Sequence, residues 1–228
     1  MIVRWQKFIV LGGLISAVLL FGAVAQANTL TFDGNNCTNA GNLCGTTGNI
    51  NQGYGDISGQ LNVVYTSRVA PGNSGTDASS LRPWDVGYNE LTNVLYAKNP
   101  GNVAEIALQH MAGYTVTLNS FDLGAYEYNQ LNSKYTIYDG AYRELFSSGI
   151  IPVGTVGSGP TVPGQSSHFT FDLTSANGLI IQWGPDGYDV GIDNLDFTVK
   201  AVPEPSTMLF LATGLAGILG YGWRRKRA

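Results

Sequence analysis

Between residues 29 and 199 apolar side chains recur at every second position in short runs, and Gly, Asn, Pro or Asp cuts each run off. Leu30 and Phe32 alternate in the first run, Leu61, Val63 and Tyr65 in the second, and Tyr114, Val116 and Leu118 in the third. Phe169, Phe171 and Leu173 follow, set between Thr170 and Asp172, and Leu195, Phe197 and Val199 close the series. Successive side chains of a strand point to opposite faces, so this period buries one face and wets the other. Shorter apolar runs at 93–98, 103–109, 134–139 and 178–183 bring the expectation to about nine or ten strands. Helical spacing is nowhere sustained. Strands this short and this regularly interrupted predict an all-β fold, an antiparallel two-sheet β-sandwich of jelly-roll type. Segments 72–80 and 154–167, rich in Gly, Ser and Pro, read as surface loops.

Charge narrows the partners. Six of the 12 Lys and Arg fall between residues 28 and 202, against 15 of the 16 Asp and Glu. Nucleic-acid binding needs a basic footprint to neutralise phosphates, so no nucleic acid is expected as a partner. Charged residues are 12% of the chain and 30 of its 228 residues are Gly, where average domains carry ~25% and ~7%. That balance suits exported β structure better than a cytosolic helical enzyme.

The two ends carry address signals. Arg4 and Lys7 precede an uncharged run over 8–24, and Ala25-Gln26-Ala27 follows as a small-residue cleavage site. This is the layout of a signal peptide with its helix over residues 1–27, an uncleaved anchor being the alternative. At the other end residues 208–223 are apolar and uncharged, and Arg224, Arg225, Lys226 and Arg227 follow at once. As a single transmembrane helix the stretch rises about 24 Å, short of the ~30 Å hydrocarbon core but completed by snorkelling Arg side chains. The basic end belongs in the cytoplasm, which leaves residues 28–202 as an exported domain. Pro203, Glu204 and Pro205 stand just before the helix, and the two prolines keep that stretch extended and open.

Pro-Glu-Pro, apolar helix and basic cluster, in that order over 203–228, resemble the PEP-CTERM sorting signal. The resemblance implies recognition by exosortase, a membrane protease-transpeptidase, after export by the secretion machinery across the inner membrane of a Gram-negative-type bacterium. It implies a membrane-anchored precursor that is then released or passed to the cell surface or extracellular matrix of a cell making exopolysaccharide. A permanent anchor behind a proline-containing linker stays open beside it.

Cys37 and Cys44 are the two cysteines of the chain. So close a pair in an exported protein reads as a local disulfide, adding roughly 2 kcal/mol on the chain-entropy picture. Counting back from Leu195, period 2 places Asp193 on the core-facing side, where a carboxylate needs hydrogen-bond donors or a metal. Thr31-Phe32-Asp33-Gly34 and Gly191-Ile192-Asp193-Asn194-Leu195 resemble the first and last strands of carbohydrate-binding jelly rolls. That resemblance implies a structural calcium held by Asp33 and Asp193, with Asp56 as a looser third ligand. The alternative is that Asp193 accepts backbone hydrogen bonds at a turn.

Tyr54, Trp84, Tyr88, Tyr126, Tyr128, Trp183 and Tyr188 stand in polar, turn-rich company. Flat rings with a polar handle stack on sugar faces, and Tyr126 with Tyr128 is the candidate glycan platform, whereas Trp183 lies in an apolar run and reads as core. His110 and His168 read as structural, since residues 28–202 hold no Gly-x-Ser-x-Gly elbow. Fifteen carboxylates guarantee some close pair, so an enzyme reading needs a carboxyl with a raised pKa as well. The expected role is non-catalytic, the binding or organising of exopolysaccharide, with a carbohydrate-active enzyme or a purely structural surface protein as alternatives.

Overall fold

A computed structural model describes residues 25–32, 48–74, 80–202, 213–214 and 216–217. Asp33, both cysteines, the signal segment before Ala25, Pro203 to Pro205 and the basic cluster lie outside the described residues. The chain divides into two compact units, Gln26–Val199 and a second made of Met1–Ala25 with Lys200–Ala228. In the second, residues 213–214 and 216–217 are helical. No helix among the described residues is long and apolar enough to cross a membrane.

The first unit is built from strands. They are β1 (Ala25–Leu30), β2 (Leu61–Arg68), β3 (Arg82–Trp84), β4 (Val94–Tyr96), β5 (Val103–His110), β6 (Tyr114–Ala125) and β7 (Leu131–Ser133). Then come β8 (Tyr135–Asp139), β9 (Glu144–Ser147), β10 (Ile151–Val153), β11 (Ser167–Ser175), β12 (Leu179–Trp183) and β13 (Val190–Ala201). One sheet runs β11-β6-β13-β4-β3, with β1 also paired to β13, and the other runs β2-β5-β12-β8-β9. β7 and β10 form a separate antiparallel pair. The registers of β2–β5, β5–β12, β12–β8 and β11–β6 are all antiparallel. The fold is an antiparallel β-sandwich.

Alternation explains the core. Leu61, Val63 and Tyr65 of β2, Ile106 and Leu108 of β5, and Ile181 and Trp183 of β12 are buried against Leu118 and Phe121 of β6 and Leu195, Phe197 and Val199 of β13. Each such side chain withdrawn from water contributes about 1.5–3 kcal/mol. Trp183 is core, and its indole Nε1 donates to the Val190 carbonyl at 2.7 Å.

Each of the nine runs read from the sequence contains a strand, although β1 ends at Leu30 and Phe32 lies beyond it at φ +49°, and the described residues add β3, β7, β9 and β10. These have three or four residues each, too few to display a period. A second difference concerns Asp193. Val190 and Ile192 are fully buried in the core, and so are Leu195 and Phe197. The parity of burial therefore reverses across Asp193 and Asn194, where Asn194 takes φ +49°. A β-bulge inserts one residue here, so Asp193 does not share the face of Leu195 as strict alternation predicted. Parity reverses again in β6 between Leu118 and Phe121, and β11 takes up the difference by a register shift between Thr170 and Leu173.

Candidate functional site

Five aromatic rings, Trp84, Tyr88, Tyr96, Tyr126 and Tyr188, line one small pocket of the sandwich. Trp84 ends β3 and Tyr96 ends β4, and antiparallel pairing sets those strands side by side. Tyr88 comes from the connection between them, Tyr126 from the 3-10 turn Tyr126–Tyr128 after β6, and Tyr188 from the turn before β13. The rings meet at angles. Trp84 and Tyr96 lie edge to face at 6.2 Å, Tyr96 and Tyr188 likewise at 5.5 Å, and Tyr88 and Tyr126 are tilted at 5.1 Å. Edge-to-face and tilted pairs are the favoured geometry for ring quadrupoles. Trp84 is 43% exposed, while Tyr88 and Tyr96 are buried at the floor. The hollow is about 40 Å³.

Backbone detail fixes these rings. Tyr88 donates its hydroxyl to the Tyr188 carbonyl at 2.7 Å, and burial pushes its pKa up. Gly87, at φ +101°, lies so close to Tyr126 that a Cβ would stand 3.1 Å from the ring. Glu127 and Tyr128 both take left-handed φ, near +56°, a conformation costly for residues other than Gly and Asn and often seen where a side chain must be aimed. Asn89, also left-handed and 2% exposed, ties the neighbourhood together. Its Oδ1 accepts from the Ala125 N–H at 2.7 Å, and its Nδ2 donates to the Asn129 and Thr155 carbonyls at 2.9 Å each.

Acids lie in the segments beside the rings. The Asp189 carbonyl accepts from the Tyr126 N–H at 2.8 Å, and the Asp189 N–H donates to the Asp186 carbonyl at 2.9 Å. Burial, with Asp186 and Glu127 nearby, raises the pKa of the Asp189 carboxyl. Arg82 donates to the Tyr96 hydroxyl, which burial nonetheless holds above its ordinary pKa. Of the two platform residues expected from the sequence, Tyr126 lines the pocket and Tyr128 does not. Trp84, Tyr88 and Tyr188 belong to the same set of aromatics in polar company, and the pocket gathers them. Tyr96 was missed because it sits inside an apolar strand, and Asn89 because nothing local distinguishes it.

A second, polar cleft of about 370 Å³ is lined by residues that include Thr31, Glu90, Asp122, Ser166, Asp193 and Asn194. Asp193 is 5% exposed, and its Oδ1 accepts from the Asn194 N–H at 2.7 Å. Asp122 accepts from Asn194 Nδ2 at 2.7 Å and pairs with His168 Nδ1 at 2.6 Å. Glu90 accepts from both the N–H and the hydroxyl of Ser166. The Ser166 hydroxyl thus faces a carboxylate and not His168, so no Ser-His-Asp relay is assembled here. His110, at the end of β5, meets the Met111 carbonyl through Nδ1 at 2.9 Å.

Of the expected calcium ligands, Asp193 lines this cleft and Asp33 lies outside the described residues. Six to eight oxygens must converge on that ion, and among the described residues no group of three His, Cys, Asp or Glu side chains could hold a metal. Asp56 does not line the cleft, and its Oδ1 accepts from the Val63 N–H at 2.7 Å. Another buried carboxylate, Glu105 of β5, is saturated. It accepts from Arg68 Nε at 2.6 Å and Nη2 at 2.9 Å, from Gln182 Nε2 at 2.6 Å and from the Tyr142 hydroxyl at 3.0 Å. Such a group holds strands together and has no lone pair free for a substrate.

Comparison with protein families matches residues 201–227 to the PEP-CTERM protein-sorting motif. Comparison with curated proteins finds no match.

Proposed function

We propose that this chain, which carries the PEP-CTERM sorting motif and is thereby an exported, exosortase-sorted protein, binds extracellular polysaccharide through the aromatic pocket and is not itself a catalyst. The sandwich is read as jelly-roll type and as the cargo that the tail delivers to the cell surface or matrix. One observation carries the binding reading: five rings from five places in the chain converge on one pocket, and the largest of them, Trp84, is 43% exposed. A half-exposed tryptophan at the edge of a ring-lined hollow is well shaped to lie on the apolar face of a pyranose.

Affinity electrophoresis of the full chain through gels containing the host's exopolysaccharide tests this. Retardation is expected, and Trp84→Ala should weaken it roughly tenfold with little change in melting temperature. Unretarded migration of the wild-type chain would remove the binding reading.

A second reading has its own observation. A carboxyl of raised pKa, Asp189, stands among other acids beside the rings, as a general acid of a carbohydrate-active enzyme would. Release of reducing sugar by the wild-type chain, abolished by Asp189→Asn, would favour that reading over simple binding.

A further inference from the structure

We propose that the aromatic pocket selects amine-bearing polysaccharide, seating a protonated amino group of the sugar among the rings of Trp84, Tyr88, Tyr96, Tyr126 and Tyr188 beside Asp186, Asp189 and Glu127. The inference rests on the polysaccharide-binding reading and narrows it to one class of sugar.

Size is the first argument. The hollow measures about 40 Å³, room for a few water-sized groups at roughly 10–15 Å³ each. A pyranose ring cannot enter it, but a single ammonium group can, while the sugar ring rests outside against Trp84. Ring geometry is the second. Tyrosine and tryptophan faces carry negative quadrupole charge, and several faces around one hollow attract a cation. The pairs in the pocket are tilted or edge to face, with angles from 37° to 86°, so their faces turn towards different sides of the space.

Charge is the third. Asp189 is bound through its backbone to both Tyr126 and Asp186, and Glu127 follows Tyr126 in the chain. The Asp189 charge is felt at the Tyr88 phenol, and Asp186 and Glu127 act on Asp189 in turn, while Arg82 is engaged with the Tyr96 hydroxyl. Burial, and then the charges of Asp186 and Glu127, push the Asp189 carboxyl pKa up, and an arriving ammonium offsets both effects. A neutral hydroxyl would fit the hollow but gain nothing from the acids. A uronic acid would be repelled by them and by the acidic surface of residues 28–202.

Titration calorimetry of the full chain against three oligosaccharides tests this: a hexamer of β-1,4-glucosamine, its fully N-acetylated counterpart, and an oligouronate. The glucosamine hexamer is expected to bind roughly tenfold more tightly than the acetylated one, and the oligouronate not at all. Asp189→Asn should erase that preference while leaving the weaker binding of the acetylated hexamer intact. Trp84→Ala should weaken both. Asp172→Asn, which removes an exposed acid on β11, should change nothing.

Equal affinity for the glucosamine and acetylated hexamers would overturn the inference and leave the polysaccharide reading standing. So would a glucosamine preference that survives Asp189→Asn or falls equally with Asp172→Asn, since bulk charge then explains it. Binding of none of the three would overturn the inference, and retardation by the host's own polysaccharide would then show whether the broader reading survives.

Discussion

At the scale of single residues, two kinds of buried polar group behave differently. Glu105 is saturated by Arg68, Gln182 and Tyr142, so its cost of burial is met by hydrogen bonds. Glu105→Ala leaves the buried Arg68 guanidinium unpaired and should cost about 3–5 kcal/mol, read as a lowered urea midpoint. The same cluster predicts an alkaline limit. Burial and the Glu105 charge push the Tyr142 pKa up to about 12, from an ordinary 10.0. Its folded-state pKa is raised, so the contribution of the neutral phenol is whole below pH 10 and is lost as pH rises towards 12. Stability measured across that window should fall, and Tyr142→Phe should make the fall shallower. Little of this was legible beforehand. Arg68 and Glu105 are 37 positions apart, and only the pairing of β2 with β5 reveals that they face each other. Asn89 was invisible for the same reason, since all its partners are distant in sequence.

At the scale of elements, the strands were readable wherever they were long enough to show a period, and their bulges were not. Period 2 is a property of unbroken strands, so it identified β13 correctly and then mispointed Asp193. Asn194 is the extra residue: without it Val190, Ile192, Leu195 and Phe197 would alternate without a break. Deletion of Asn194 should therefore be tolerated, at about 1–3 kcal/mol for the lost bond to the half-buried Asp122. Deletion of Thr198 should cost more, because it turns Val199 to the opposite face and brings Lys200 towards the core. Thermal melting of the two variants, side by side, checks the difference. The aromatic pocket teaches a similar lesson. Its residues were recognisable as polar-company aromatics, but that Tyr96 joins them and Tyr128 does not depends on the β3–β4 pairing and the left-handed turn at 127–128.

For the whole molecule, the sequence conveyed destination more fully than activity, because a sorting signal acts through linear order whereas a binding site acts through convergence. The tail motif at 201–227 is matched as expected, whereas the calcium expectation turns on Asp33, which lies outside the described residues. The destination has its own test. The intact mass of the protein recovered from the host surface should lack residues beyond the Pro-Glu-Pro stretch, whereas a chain with Pro203 and Pro205 replaced by Ala should stay at the membrane with its tail. Recovery of both chains at full length would show that the tail is a permanent anchor. The route by which the tail joins the sandwich also matters mechanically. β13 is an interior strand, lying between β6 and β4 and paired also with β1, and it runs straight into the sorting motif at residue 201. Any pull on the tether, from flow or from a tugging matrix, is thus fed lengthwise into a strand gripped on both sides. Its hydrogen bonds are sheared together and cannot be unzipped one at a time, so the attachment point is the part of the sandwich best built to carry load.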